Sequence, residues 1–282
     1  MVSVLGRAVM AVTDRSSVRK PFTDTRPGRA LSTRFVAGEL LDDAVRVALA
    51  ANADGAKVSL DHLGEHVADR TQAVRARDDY LACLDRIAAE GLDANISVKL
   101  TQLGLGTDDE LAAQSLDALA RRAAEVGTSV TIDMEESDYT EATVALFEKA
   151  QAVHGNLGVA LQAYLHRTSA DLDRVLAAGG DVRLCKGAYA EPPELAVQGR
   201  AAVDAAFDAL AARLMARNSV YPAMATHDDA RIDLIRRLGE RRDRGWEFQM
   251  LYGVRTALQR ELVAAGLRFR VYIPYGEAWY PY

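Results

Sequence analysis

Cysteine is scarce in this chain: Cys83 and Cys185 are the only two among 282 residues. Two thiols cannot build a disulfide framework, so a reducing compartment is expected. Long apolar runs are missing too, and nothing approaches the roughly 18–20 residues that span a bilayer. The opening MVSVLGRAVMAVTDR lacks the ordered basic, apolar and cleavage-site regions of a signal peptide. Positive charge is not in excess; a net charge of −6 argues against nucleic acid as the principal partner. No GxGxxG, P-loop or serine elbow occurs. The five histidines, His62, His66, His154, His166 and His227, share no ligand spacing with nearby carboxylates, which disfavours a metal centre. What remains is a cytoplasmic protein with 49% apolar residues, enough for a large core.

What is present is an alternation. Eight short apolar runs end in a polar residue or glycine: Lys57–Asp61, Asn95–Thr101, Val130–Met134, Gly158–Tyr164, Asp181–Tyr189, Ala223–His227, Glu247–Gly253 and Phe269–Gly276. Seven of them pass into a helix-like stretch, and eight such units predict a closed (β/α)₈ barrel, a TIM barrel, with its chemistry at the carboxyl ends of the strands. The expected division is an N-terminal basic arm over residues 1–36 and a barrel over 37–282. The arm holds seven basic residues (Arg7, Arg15, Arg19, Lys20, Arg26, Arg29, Arg34) against Asp14 and Asp24. Pro21, Pro27 and Gly28 allow only short helices there. It reads either as a solvated arm packed on the barrel, the preferred reading, or as a weak contact to an anionic membrane surface. Helices are expected at Gly38–Ala53, after a Thr107 cap, from Ser169 to a stop at Gly179-Gly180, and over Glu194–Arg217 behind Pro192-Pro193.

Alternate side chains of a barrel strand face the interior and the surrounding helices, and the helix-facing set must be apolar. That rule turns Asn95, Ser97, Lys99 and Thr101 inward, with Thr131, Asp133, Gln162, Arg183, Cys185, Arg270 and Tyr272. Lys99, Asp133, Gln162, Arg183 and Tyr272 then converge on one interior. Buried charge is costly unless paired, so so many inward polar residues near strand ends favour a ligand site over a structural ion layer.

Single motifs leave alternatives open. Lys186-Gly187-Ala188-Tyr189 suits a phosphate, through backbone N–H groups and a cation. Lys99 or Lys186 equally suits a Schiff-base lysine of an aldolase or lyase, or a plain ion pair with Asp133. His227, in Thr226-His227-Asp228, reads as a metal ligand, a base, a cofactor contact or a half-exposed strand end. Asp133-Met134-Glu135-Glu136 is rejected as a divalent-ion site because parity turns only Asp133 inward. Cys185 reads as a small packing group.

Seven strings taken together are more specific: ISVKLTQLG (96–104), TIDMEE (131–136), LQAYL (161–165), RLCKGAY (183–189), ATHD (225–228), FQMLYG (248–253) and RVYIPYG (270–276). In this order and spacing the chain resembles the monofunctional bacterial proline dehydrogenases. The resemblance implies a distorted (β/α)₈ barrel holding FAD, oxidation of L-proline to Δ1-pyrroline-5-carboxylate, and transfer of the electrons to a membrane quinone. It implies that Lys99 binds the substrate carboxylate, that Asp133 sits beside the proline, and that Arg183 lies near the reactive flavin nitrogen. Gln162 and Met134 would contact the isoalloxazine; Lys186, Gly187 and Ala188 the pyrophosphate; Thr226 and His227 the cofactor further along. Tyr189, Tyr272 and Tyr282 would line the proline pocket. The family's final helix, with an Arg-Arg pair clamping the carboxylate, falls after Tyr282, so either the sequence is trimmed or the clamp is lacking. Losing two charge-assisted hydrogen bonds, worth roughly 1.5–3 kcal/mol each, would weaken proline binding by about 10²–10⁴-fold. Absence of the clamp also keeps open a catalytically silent, ligand-binding barrel.

Overall fold

The computed structural model describes residues 34–64 and 66–278. All but the last three residues of the basic arm lie outside the described residues, as does Tyr282. Helix α1 (Leu41–Ala53) leads into β1 (Lys57–His62), α2 (Arg70–Glu90), β2 (Ala94–Val98), α3 (Asp109–Glu125), β3 (Val130–Ile132), α4 (Ser137–His154) and β4 (Leu157–Gln162). Then come α5 (Thr168–Ala177), β5 (Asp181–Cys185), α6 (Arg200–Met215), β6 (Pro222–Ala225), α7 (Asp229–Gly239), β7 (Glu247–Leu251), α8 (Thr256–Ala264) and β8 (Phe269–Tyr275). The eight strands form a closed parallel barrel in chain order, β8 pairing with β1. Among the described residues no helix is long and apolar enough to cross a membrane.

The parity rule explains the layers. Val58, Leu60, Ile96, Val98, Val159 and Ile273 are fully buried in the continuous apolar core. Their neighbours along each strand, Ser59, Asn95, Ser97, Arg183, Glu247 and Gln249, are buried polar groups. They bond to one another: Ser59 donates to Asn95 on the adjacent strand, Arg183 to Ser97 across the barrel, and Gln249 to Glu247 along β7. The interior is therefore polar where many barrels carry layers of branched aliphatics. Helix α1 packs against both β8 and β1, so the seam where the barrel closes is covered by a helix that precedes the first strand.

Local expectations shift in three places. Asp108, and not Thr107, caps α3, accepting the Leu111 N–H at 3.0 Å, because Thr107 is drawn into a turn onto the Gly104 carbonyl. Pro192-Pro193 does not open the long helix. Residues 192–198 fold back on the loop after β4, where Leu165 and Ala196 form an isolated bridge, and α6 begins only after Gly199, at φ +82°. The strands also end earlier than the apolar runs suggest: β2 stops at Val98, where its pairing to Ile132 ends, so Lys99 and Thr101 lie just beyond the ladder.

Candidate active site

Four charges meet at the carboxyl ends of the strands. Lys99, the first residue past β2, donates to the two oxygens of Asp61 at 3.2 and 3.3 Å. Its ammonium also lies 3.6 Å from Asp133. Asp133, the first residue past β3, accepts from the Arg183 guanidinium, from the Ser97 hydroxyl at 2.8 Å and from the Tyr272 hydroxyl at 2.7 Å. Arg183 donates further to Gln249 at 2.6 Å and to Ser59 at 3.2 Å, and its guanidinium lies 5.1 Å from the centre of the Tyr272 ring. Two cations and two carboxylates balance, which makes their common burial tolerable. Burial works to raise the Asp133 carboxyl, yet Arg183 and Lys99, with Tyr272 and Ser97, hold it below the ordinary carboxylate range. Asp61 goes the other way: burial and the Asp133 charge push it up against the pull of Lys99.

A second tier forms the rim. Gln162, at the end of β4, donates to the Glu135 carbonyl at 2.9 Å and accepts the Ala188 N–H at 3.1 Å. It thereby ties the loop after β3 to the loop after β5. Met134 is buried in the first of these loops and Tyr189 is half-buried in the second. Gly187 has φ +127°, and a Cβ there would come within 2.2 Å of the Tyr164 ring, so only glycine suits this close approach. Lys186 reaches sideways to Asp204 on α6 and to Asp228, the latter at 2.9 Å. Thr226 is buried just past β6. His227 accepts the Leu251 N–H at 3.1 Å, and burial, aided by Arg255, lowers its pKa.

The structure thus brings Lys99, Asp133, Arg183 and Tyr272 into one bonded group. Gln162, Gly187 and Ala188 stand together above it, and Lys186, Thr226 and His227 lie along the β5–β6 side. Strand reasoning passed over Asp61, Ser59 and Gln249. All three alternate with the helix-facing apolar residues Val58, Leu60, Phe248 and Met250, so the signal was present in β1 and β7. Parity turns only Asp133 inward before the loop begins, yet Glu135 is fully buried, accepting from the backbone N–H of Thr101 at 3.1 Å and from its hydroxyl. His66, Glu135 and Glu136 present ligand-type atoms within 4.8 Å of one another, but the Glu135 carboxylate is committed to Thr101. Lys99, bonded to Asp61 and beside Asp133, is not placed as the desolvated neutral amine that a Schiff-base lyase uses.

A parallel barrel with its charged side chains gathered at the carboxyl rim is built as an enzyme of the TIM-barrel class. The family model described as proline dehydrogenase matches residues 44–279. Proline dehydrogenase 1 of Bacillus subtilis subsp. natto is 36% identical over 252 residues, covering 88% of this chain and 83% of that one. The proline dehydrogenase of Deinococcus radiodurans is 33% identical, covering 98% of this chain and 91% of that one. Among solved structures, proline utilization A from Bdellovibrio bacteriovorus inactivated by N-propargylglycine superposes with a TM-score of 0.82 at 24% identity. That alignment covers 90% of this chain but 32% of the other, so the chain spans about a third of that longer protein, and the likeness speaks to fold. The chain belongs to the proline dehydrogenase family, and proline dehydrogenases are oxidoreductases.

Proposed function

We propose that this chain oxidises L-proline to Δ1-pyrroline-5-carboxylate on FAD and passes the electrons to a quinone, the first step of proline catabolism. The observation that supports this reading best is the buried Lys99–Asp61–Asp133–Arg183 group at the barrel rim in a chain of this family. The donor set also suits a phosphate-bearing flavin. Helix α6 starts at the exposed Arg200 with no side-chain cap, and Lys186 bonds to its Asp204, so its first N–H groups are available to an anion. Gln162 and Met134 would border the flavin ring. Lys186, Gly187 and Ala188 would hold the pyrophosphate, and Thr226 and His227 would meet the cofactor further along.

When bound, the flavin supplies the hydride acceptor, and that chemistry is its own. The protein's part is positioning and charge. Lys99 would bind the proline carboxylate, with Tyr189, Tyr272 and Tyr282 around the ring. Arg183, fixed by Gln249, Ser97, Ser59 and Asp133, presents positive charge where negative charge accumulates during the reaction. The secondary amine of proline must lose its proton before hydride leaves, so turnover should rise from pH 6 toward pH 9. A flat profile across that range argues against the scheme.

The direct test is the absorption spectrum of the purified protein. Bands near about 370 and 450 nm, the second bleaching on anaerobic addition of proline, are expected for a flavin enzyme of this kind. A protein that stays colourless after loading with FAD, or whose flavin proline does not bleach, overturns the proposal. If quinone in a membrane is the acceptor, the basic residues of the 1–36 arm are the candidate contact, read by co-sedimentation with anionic vesicles.

A further inference from the structure

The lysine at the centre of the rim has a partner that the proposed reaction does not use. Asp61, one residue before the end of β1, is wholly buried and meets Lys99 through both carboxylate oxygens, at 3.2 and 3.3 Å. The other groups facing it come from four elements. Tyr80 of α2 places its hydroxyl 3.4 Å from Asp61, and Tyr272 of β8 donates to Asp133 and is near enough to pull the Asp61 carboxyl down. Asp133 lies beyond Lys99 just past β3, and Arg183 of β5 neutralises Asp133 in turn. Asp133 therefore already answers to Arg183, Tyr272 and Ser97. Asp61 has no cation but Lys99 within ion-pairing distance among the described residues.

We propose that Asp61 is a positioning residue whose carboxylate keeps the Lys99 ammonium charged and aimed at the barrel axis, so that Lys99 retains its hold on a substrate carboxylate as the pH rises. The proposal rests on the reading that Lys99 binds that carboxylate. An ammonium buried beside no carboxylate of its own is favoured as the neutral amine, and a neutral amine offers an anion neither charge nor a strong donor. Asp61 carries a cost in exchange: its negative charge stands near the bound anion. Removing it should therefore help anion binding where Lys99 stays protonated, and hurt where Lys99 does not.

The experiment uses the flavin-loaded full chain and cyclopentanecarboxylate, a five-membered carboxylate with no amine to oxidise or titrate, so that any pH dependence belongs to the protein. Its dissociation constant is measured by calorimetry from pH 6.5 to 9 for the parent, Asp61→Asn, Lys99→Met and the double variant. The parent should be nearly flat. Asp61→Asn should bind at least as tightly as the parent at pH 6.5 and about tenfold or more weaker at pH 9, as one pKa unit of lost protonation implies. A variant-to-parent ratio that does not change with pH overturns the role of Asp61. In the Lys99→Met background, adding Asp61→Asn should leave the pH profile unchanged; a further pH-dependent change there also overturns it. Because Lys99→Met leaves Asp61 buried without its cation, Lys99→Arg, which stays charged across this pH range, gives a second background. There too Asp61→Asn should leave the pH profile unchanged, and a pH-dependent change overturns the proposal. If Lys99→Met alone binds the probe like the parent, the carboxylate reading of Lys99 is itself wrong, and the proposal falls with it.

Discussion

The barrel interior buries charge at both of its ends, and the two ends do it differently. At the amino end, Arg270 bonds Glu247 at 2.6 Å, the Val58 carbonyl at 2.8 Å and Asn95 at 3.1 Å. Glu247 also accepts from Tyr221 at 3.0 Å and Gln249 at 2.7 Å. Burial works to raise Glu247, but Arg270, Gln249 and Tyr221 outweigh it and hold it below its ordinary range. Every strong partner there is another part of the wall. At the carboxyl end the four charges of Asp61, Lys99, Asp133 and Arg183 sit where the strands stop and loops begin. Conserving a cluster's neutrality is thus one task, done twice; only the end that opens onto loops lends itself to chemistry. Gln249 joins the two, accepting from Arg183 and donating to Glu247, so the amino-end pair also orients the carboxyl-end arginine.

Breaking the amino-end pair should have the largest effect on stability. Glu247→Ala leaves Arg270 buried without its carboxylate and should cost about 3–5 kcal/mol, read as a lower urea midpoint with an unchanged slope. Next, Arg183→Lys keeps the charge but loses the forked bonds to Gln249, Ser97 and Ser59. It should lower kcat/KM for proline by about 10²-fold while costing less stability than Glu247→Ala. A larger stability loss for Arg183→Lys than for Glu247→Ala would erase the contrast between the two ends. Gly187→Ala should strain the rim by about 1–3 kcal/mol, at φ +127° and against Tyr164, weakening flavin retention and lowering the urea midpoint by less than Glu247→Ala does.

The smallest expected effect is acid-dependent. Lys186 leads the groups that hold Asp228 at about 2, from an ordinary value of 3.8. A folded-state pKa below the unfolded one contributes stability above about pH 4 that is lost as pH falls from there toward 2. Asp228→Asn should therefore narrow the stability difference between pH 5 and pH 2, measured by urea titration at each pH. An unchanged difference would show that Lys186 answers chiefly to Asp204.

All eight strands and the inward polar set were legible because a barrel wall has period two and must be apolar on its helix side. Lys99, Asp133, Arg183 and Tyr272 meet as that period requires. Asp61 and Gln249 obey the same rule and were as legible: β1 alternates Lys57, Ser59 and Asp61 with Val58 and Leu60, and β7 alternates Glu247 and Gln249 with Phe248 and Met250. Glu135 was not legible: it lies past the end of β3, where backbone period no longer dictates direction and the bond to Thr101 does. Residues 192–198 misled for a related reason. A Pro-Pro pair announces a helix start in isolation, but tertiary contact with the loop after β4 prevails over local preference.

Helix α1 is among the first described segments of the chain, yet one of the two strands it covers, β8, is among the last. During synthesis it has to wait for more than two hundred further residues before its apolar side is fully shielded. Closure entropy for so distant a contact is settled late, so the nascent protein carries one sticky amphipathic segment through most of translation, and the ribosome-bound intermediate is where chaperones have something to hold.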